Sequence, residues 1–247
     1  MICGVVLPTR TDAEVIGLEI LEWDQELTGT LQISGNSLPG TKADLQDDLG
    51  LEAQDYLTQE RLWFHWGKGN YLLASHLESN RSGTELLTSQ LVFGGVTFAP
   101  GETINSRLEL RQDSLLYRYD FLNLPMFKLG VPFGAMRLHM TTKVESTTTG
   151  FVGEGSDIGT VPVAGLAFSF QPIPIIHISG EIEGMNLHYQ GNDYRLYDAR
   201  GQVEINFAPF IGLNLGYRRG DADVEMEDLG KTDLTAKGPF ATLTFRF

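Results

Sequence analysis

The chain has 247 residues, 42% of them apolar, with 28 Gly, a single Cys and a formal net charge of −14 at pH 7. That composition excludes a disordered tail, a disulfide scaffold and a Cys-rich zinc module. No window reaches the roughly 18–20 consecutive apolar residues that a spanning helix needs. The balance of 18 basic against 32 acidic residues leaves no cationic cluster for a phosphate backbone, so nucleic acid is not an expected partner.

Residues 1–10 have no basic start and too short an apolar core for a complete secretion signal, so the signal is expected to be missing from this chain. Residues 1–12 are expected to form a flexible N-terminus, and Cys3 is read as an incidental thiol rather than a lipid attachment point. The first candidate strand then covers about 14–23. In the second, about 57–67, Leu62, Phe64 and Trp66 face away from Arg61, Trp63 and His65. Gly67-Lys68-Gly69-Asn70 turns the chain into about 70–79. Over about 104–121, Leu115, Tyr117, Tyr119 and Phe121 oppose Ser114, Arg118 and Asp120; Asn123-Leu124-Pro125 then leads to about 127–142.

The alternation continues toward the C-terminus. Leu166, Phe168 and Phe170 mark about 159–171, and Ile176, Ile178 and Ile182 alternate with His177, Ser179, Glu181 and Glu183 over about 174–189. Val203, Ile205 and Phe207 mark about 193–208, and Leu213, Leu215 and Tyr217 mark about 210–220. In the last segment, about 234–247, Leu243, Phe245 and Phe247 alternate with Thr242, Thr244 and Arg246. Tight links alternate with long polar ones at roughly 34–56, 80–104, 143–158 and 220–233, plus a shorter one near 190–193. This is the arrangement of an all-β, closed antiparallel up-and-down transmembrane β-barrel of ten strands, with eight as the alternative count, built as one domain over 1–247. An even number of strands puts both termini on the short-turn side.

A soluble barrel with its apolar side inward would alternate in the same way. The polar face here is rich in Gly, Ser, Thr, Asn, Gln and Arg rather than Lys and Glu, which suits a crowded interior where charges pair. The apolar face gathers aromatics beside the tight turns, as an interfacial girdle would. Both observations favour lipid outside and charge inside. The apolar residues change parity between Leu110 and Leu115 and between Phe133 and Leu138. Each slip marks either a β-bulge or the point where the strand leaves the membrane.

The terminal strand, with Phe247 last and Phe245 and Leu243 before it, resembles the C-terminal signature of bacterial outer-membrane β-barrel proteins. The resemblance implies a Gram-negative-type outer membrane, a periplasmic N-terminus, short periplasmic turns, long extracellular loops, and recognition of Phe247, Phe245 and Leu243 by the barrel assembly machinery. It also implies outer-membrane lipids and lipopolysaccharide as surroundings, with the extracellular loops open to a protein partner.

The inward face is expected to gather Glu19, Arg61, His65, His76, Glu78, Arg107, Glu109, Arg111, Arg118, Asp120, Arg137, His139, His177, Glu181, Glu183, Arg200, Glu204, Arg218 and Arg246. Of these, Arg61, Glu109, Arg118, Arg137, Glu181, Arg200, Glu204, Arg218 and Arg246 form the expected lumen-lining network. Mutual salt bridges filling a small lumen are favoured over an open polar pore. The function expected is a non-catalytic barrel acting as a scaffold, a partner-binding protein or a narrow passive channel. The alternatives are an outer-membrane hydrolase and a soluble lipocalin-like binding barrel. Omptin-type proteases resemble the chain in strand number and use Asp and His near the extracellular rim; His188, Asp193, Asp198 and His139 are the residues available here, without an omptin-like motif. Scattered histidines give no metal site, no cofactor is expected, and the acidic stretches 43–55 and 221–233 read as solvated loops. Leu91–Phe98 reads as an extra hairpin around Gly94-Gly95 that exposes Phe93 and Phe98.

Overall fold

The computed structural model describes residues 15–35, 38–189, 192–226 and 230–247. The flexible N-terminus and the thiol of Cys3 lie outside the described residues. Ten long strands follow one another: β1 (Ile16–Ile33), β3 (Gln54–Trp66), β4 (Asn70–Leu86), β7 (Thr103–Asn123), β8 (Phe127–Ser146), β9 (Val152–Ile173), β10 (Ile176–Tyr189), β11 (Asn192–Ala208), β12 (Ile211–Met226) and β13 (Gly230–Arg246). Three short ones, β2 (Ala43–Asp44), β5 (Leu91–Phe93) and β6 (Val96–Phe98), lie in the connections. Each long strand pairs antiparallel with its neighbours, and β13 returns to β1 from Gly17↔Arg246 up to Ile33↔Gly230, which closes the cylinder. Closure leaves no unpaired edge, the condition for backbone to cross lipid.

At the end that carries Val15 and Phe247, the turns span 67–69, 124–126, 174–175 and 209–210. The first of these needs Gly67 and Gly69, both at positive φ (59° and 87°). Just above the turns the exposed aromatics touch in sequence: Phe64 stacks on Trp66 at 5.6 Å, Trp66 meets Tyr117 at 5.9 Å, and Tyr117 meets Phe133 edge-on at 5.2 Å. Higher on the outer face lie Ile20, Leu72, Leu115, Leu166, Ile182, Val203, Leu215 and Leu243, all exposed. Leu215 and Leu243 are 58% and 46% exposed while Arg218 and Arg246 are each 4%. The apolar side therefore faces out and the charged side in, and the soluble-barrel alternative fails on this point.

The strands run well beyond their expected ends. β7 and β9 have 21 and 22 residues, about twice the 9–11 that cross a tilted hydrocarbon layer. In β7, Ile104, Leu108, Leu116 and Asp120 are all buried, so even positions point inward from Ile104 to Asp120. The pairings β4–β7 and β7–β8 pass the 110–115 and 133–138 regions with no register shift. Neither slip is a bulge. The parity stays fixed and the surroundings change: below, odd positions Leu115, Tyr117 and Tyr119 form the apolar belt; above, odd positions Asn105, Arg107, Arg111 and Asp113 meet water. This corrects the expected long links, because 80–86, 143–146, 152–158, 220–226 and 230–233 are strand with inverted polarity rather than loop.

A charge placed in the belt is therefore expected to cost far more than one lost above it. Leu215→Arg should destabilise the folded barrel by about 2–4 kcal/mol, whereas Arg195→Ala, above the belt, should stay within about 0.5 kcal/mol. Urea unfolding in lipid vesicles, followed by heat-modifiable gel migration, measures both.

Candidate functional site

Inward side chains gather in the lumen at two levels. In the lower level, Arg61 pairs with Glu181 at 2.7 Å, and Arg200 reaches the same carboxylate at 3.2 Å from the neighbouring strand. Glu204 accepts from Arg246 and lies 3.1 Å from Nδ1 of His177, whose Nε2 is 2.7 Å from Ser169 Oγ. Arg246 also donates to Asn206 at 2.8 Å. Arg118 donates to Asp120 at 2.7 Å and lies over the Tyr71 ring. Arg218 holds Asp198 at 2.8 Å and Gln59 at 3.1 Å, and its guanidinium sits 4.6 Å from the Trp23 ring. Such pairs form because each charge, once desolvated, stays only with a partner.

The structure thus brings Arg61, Arg118, Glu181, Arg200, Glu204, Arg218 and Arg246 to the inner wall. Glu109 and Arg137 are corrections: both occupy odd positions, on the outer face of β7 and β8 above the belt. Arg107, Arg111 and His139 are outward for the same reason, and His76 and Glu78 of β4 are outward because they pair opposite Asp113 and Arg111. His76 pairs there with Asp113 at 2.7 Å, and Arg111 with Glu78 at 3.4 Å. Assigning every charge to the inside is valid only where lipid lies outside, and these residues stand above that boundary.

The upper level is an apolar cap. Ala43 and Asp44 pair with Leu31 and Thr30 of β1 as a short added strand, and Asp44 Oδ1 accepts from the backbone N–H groups of Gln46 and Asp47 to tighten the following turn. Leu45, Leu49 and Leu51 thereby enter a cluster with Leu27, Leu31, Ile104, Leu108 and Val144 from the strands. Part of the expected solvated loop 43–55 is therefore core. The hairpin β5–β6 forms around Gly94-Gly95, both at positive φ, yet Phe93 and Phe98 are 0% exposed. Their expected exposure is overturned: the hairpin folds down into the mouth of the barrel instead of projecting. Arg81, which the sequence did not single out, ties the cap to the wall by donating to the carbonyls of Glu52 and Ala53 (2.7 and 2.8 Å) and to Gln25 Oε1 (2.8 Å).

Between the two levels lies a cavity of about 180 Å³. Leu27 and Leu234 border it from the cap cluster, and Met136, Val163 and Leu196 from a second cluster. Trp23, Arg218, Gln25, Ser79 and Glu183 also line it. Most of its wall belongs to strand segments that alternation already marks, such as Leu77, Leu110, Met136, Val163 and Leu196, while Gln25, Leu27, Ala222, Val224 and Thr232 come from beyond the expected strand ends.

The rim residues do not converge. His188 lies 2.8 Å from Asp193 on the outer surface, Asp198 is bound to Arg218 inside, and His139 is on the outside of β8. Among the described residues no group of three or more His, Cys, Asp or Glu is placed to hold a metal ion. At the base, Phe247 donates its N–H to Ile16 at 2.9 Å and accepts from Val15 at 3.0 Å, while the side chains of Leu243 and Phe245 alternate with buried Thr244 and Arg246.

No family model and no curated protein matches the sequence. Among solved structures, the chain is similar to the outer membrane protease OmpT from Escherichia coli, at 10% identity and a TM-score of 0.59, covering 99% of this chain and 100% of that one. It is less similar to the transport unit of the autotransporter AIDA-I from Escherichia coli (7% identity, TM-score 0.49, covering 98% and 93%) and to the translocator domain of NalP from Neisseria meningitidis (13%, 0.49, 94% and 89%). The fold is that of the bacterial outer-membrane β-barrels. At this distance the likeness concerns architecture alone.

Glu102 clamps the cap to the 147–150 turn: its carboxylate accepts from Ala99 N–H at 2.8 Å, Thr149 Oγ1 at 3.2 Å and Ser146 Oγ. The Ser146 bond first, then the Ala99 bond, hold its pKa below the ordinary carboxylate value. A lowered folded pKa means that the clamp's stabilisation is complete above the ordinary carboxylate range and is lost as the pH falls through the lowered value. Hydrogen-exchange protection over 87–102, taken relative to the intrinsic rate at each pH, should fall on acidification in the wild type, and Glu102→Gln should be less protected already at pH 7 while losing most of this acid response.

Proposed function

We propose that this chain is a non-conducting, non-catalytic outer-membrane barrel whose working part is the raised half above the membrane, acting as a scaffold or binding protein rather than a channel. The reading is supported by what the lumen holds, the Arg61–Glu181–Arg200 and Glu204–Arg246 pairs below and the Phe93/Phe98 cap above. An ion passing through would have to break buried ion pairs and then cross an apolar plug, each a large barrier on its own. The protease activity in the name of the Escherichia coli neighbour is not carried across, since the candidate His and Asp residues here point into different surroundings.

The partners that fit are those of the outer wall. Arg107, Arg111, Arg137 and Lys143 stand on β7 and β8 directly above the belt, interleaved with Glu109, Asp113 and Glu145. That height suits the anionic headgroups of lipopolysaccharide, and the base, with Phe247, Phe245 and Leu243 ending the last strand, suits the barrel assembly machinery.

Single-channel recording on the refolded protein in planar bilayers tests the reading. Silence across the voltage range is expected, and it should persist when the hairpin 91–98 is replaced by a short Gly-Ser link, because the lower ion pairs still close the lumen. A steady, reproducible current through the wild type overturns the proposal.

A further inference from the structure

Above the lipid belt the wall parts at two seams. β3 and β4 separate beyond Gln59↔Leu77, and the chain fills that gap itself: Leu51 bridges to Gly83, and Arg81 donates to the carbonyls of Glu52 and Ala53. β9 and β10 separate beyond Ala164↔Gly184, while β9 stays paired to β8 as far as Val152 and β10 to β11 as far as Tyr189. Among the described residues no backbone group pairs across this second seam.

Pro162 explains where it opens. Gln171 donates its N–H to Met126, and Ser146 donates to Phe151, so odd residues of β9 turn their backbone groups to β8 and even ones turn them to β10. The next bond past Ala164 would come from position 162, where proline has no N–H. Beyond it the N–H and C=O groups of Ser156, Ile158 and Thr160 turn into the gap, as far as Glu154, which the Gly94 backbone approaches. Ile158 and Thr160 sit opposite His139 and Arg137 of β8, above the belt, so the edge is open to water.

We propose that this edge of β9 binds an extended polypeptide segment of a partner protein, which adds a strand along 156–162. A strand backbone is the complement of evenly spaced N–H and C=O groups, and at the first seam this chain fills the gap with polypeptide of its own. The outward residues Ser156, Ile158 and Thr160 carry none of the charge that guards an edge against pairing. On the inner side Gly159 has open space where a side chain would stand, and Leu187, which faces inward with Glu181 and Glu183, is 37% exposed. The added strand is therefore one whose inward side chains are apolar. A second copy in the same membrane stands the same way up, so its β9 runs parallel and does not offer the antiparallel pairing used throughout this barrel. The inference deepens, and rests on, the reading of the raised half as a binding part. Its test is strand pairing rather than conductance, so the two failures are distinguishable.

The test adds the peptide Lys-Val-Thr-Val-Thr-Val-Lys, whose valines share one face, to the full chain in lipid nanodiscs and follows single-amide hydrogen exchange. Without peptide, the Ile158 and Thr160 amides should exchange close to their intrinsic rates. With peptide at millimolar concentration their exchange should slow saturably, by about tenfold, as one backbone hydrogen bond each warrants. Ile158→Pro removes one donor from the free edge, as Pro162 already does, leaves the β8 pairing intact and should weaken binding about tenfold. A peptide N-methylated at its three central residues loses donors from both of its edges and should give no slowing. Amides protected before peptide is added, no slowing when it is added, or slowing indifferent to Ile158→Pro or to N-methylation each overturn the proposal. Protection that follows protein concentration instead of peptide assigns the edge to a second copy and overturns it too. Should Ile158→Pro fail to fold, the N-methylated comparison decides alone.

Discussion

Everything in this barrel follows from a ladder that keeps its parity from the lipid belt to the raised rim, its register shifts lying beside the short turns at Asp120/Leu122, Ile176/Ile178 and Asn206/Ala208. Within β7 and β8, from Ile104 to Asp120 and from Gly130 to Ser146, each even residue points inward and each odd one outward, because the backbone pairing admits no slip there; the one register shift, between Asp120 and Leu122, falls beside the short turn. The environment, by contrast, inverts partway up. Lipid outside requires apolar odd positions and permits charge inside; water outside requires polar odd positions and drives Ile104, Leu108 and Val144 together within. One strand thus carries two opposite patterns on one register.

That inversion decides what the interior holds at each height. In the membrane half, the inner wall carries paired charges beside the apolar cluster of Trp63, Leu73 and Leu116. In the raised half it is a hydrophobic core like that of a soluble domain, completed by two connections that fold inward rather than out. Phe93 and Phe98 reach it because Gly94 and Gly95 take the left-handed turn that brings the short strands together, and Gly94 approaches the Glu154 backbone so closely that a side chain would collide with it. The chamber is what remains between a polar filling and an apolar one.

The sequence made the membrane half legible, since Leu213, Leu215, Leu243 and Phe245 alternate with residues that lipid would reject. The strand number and the hairpin at Gly94-Gly95 were legible too. The raised half was not. A stretch such as Asp221–Met226 reads as an acidic loop when charge is taken as the mark of a connection, yet it pairs with 230–235 over its whole length. Glu109 and Arg137 were misplaced by the same rule, and the direction in which Phe93 faces depends on packing partners up to 50 residues and more away in the chain, which no local pattern encodes.

Site-directed labelling along β7 tests the central claim most directly. Single cysteines at 104, 107, 108, 111, 115 and 119, in a Cys3→Ser background, would carry spin labels read for accessibility to oxygen and to a water-soluble nickel chelate. The account predicts nickel access at 107 and 111, oxygen access at 115 and 119, and neither at 104 and 108. Lipid-like access at 107 and 111, or water-like access at 104 and 108, would contradict an unbroken strand whose surroundings invert.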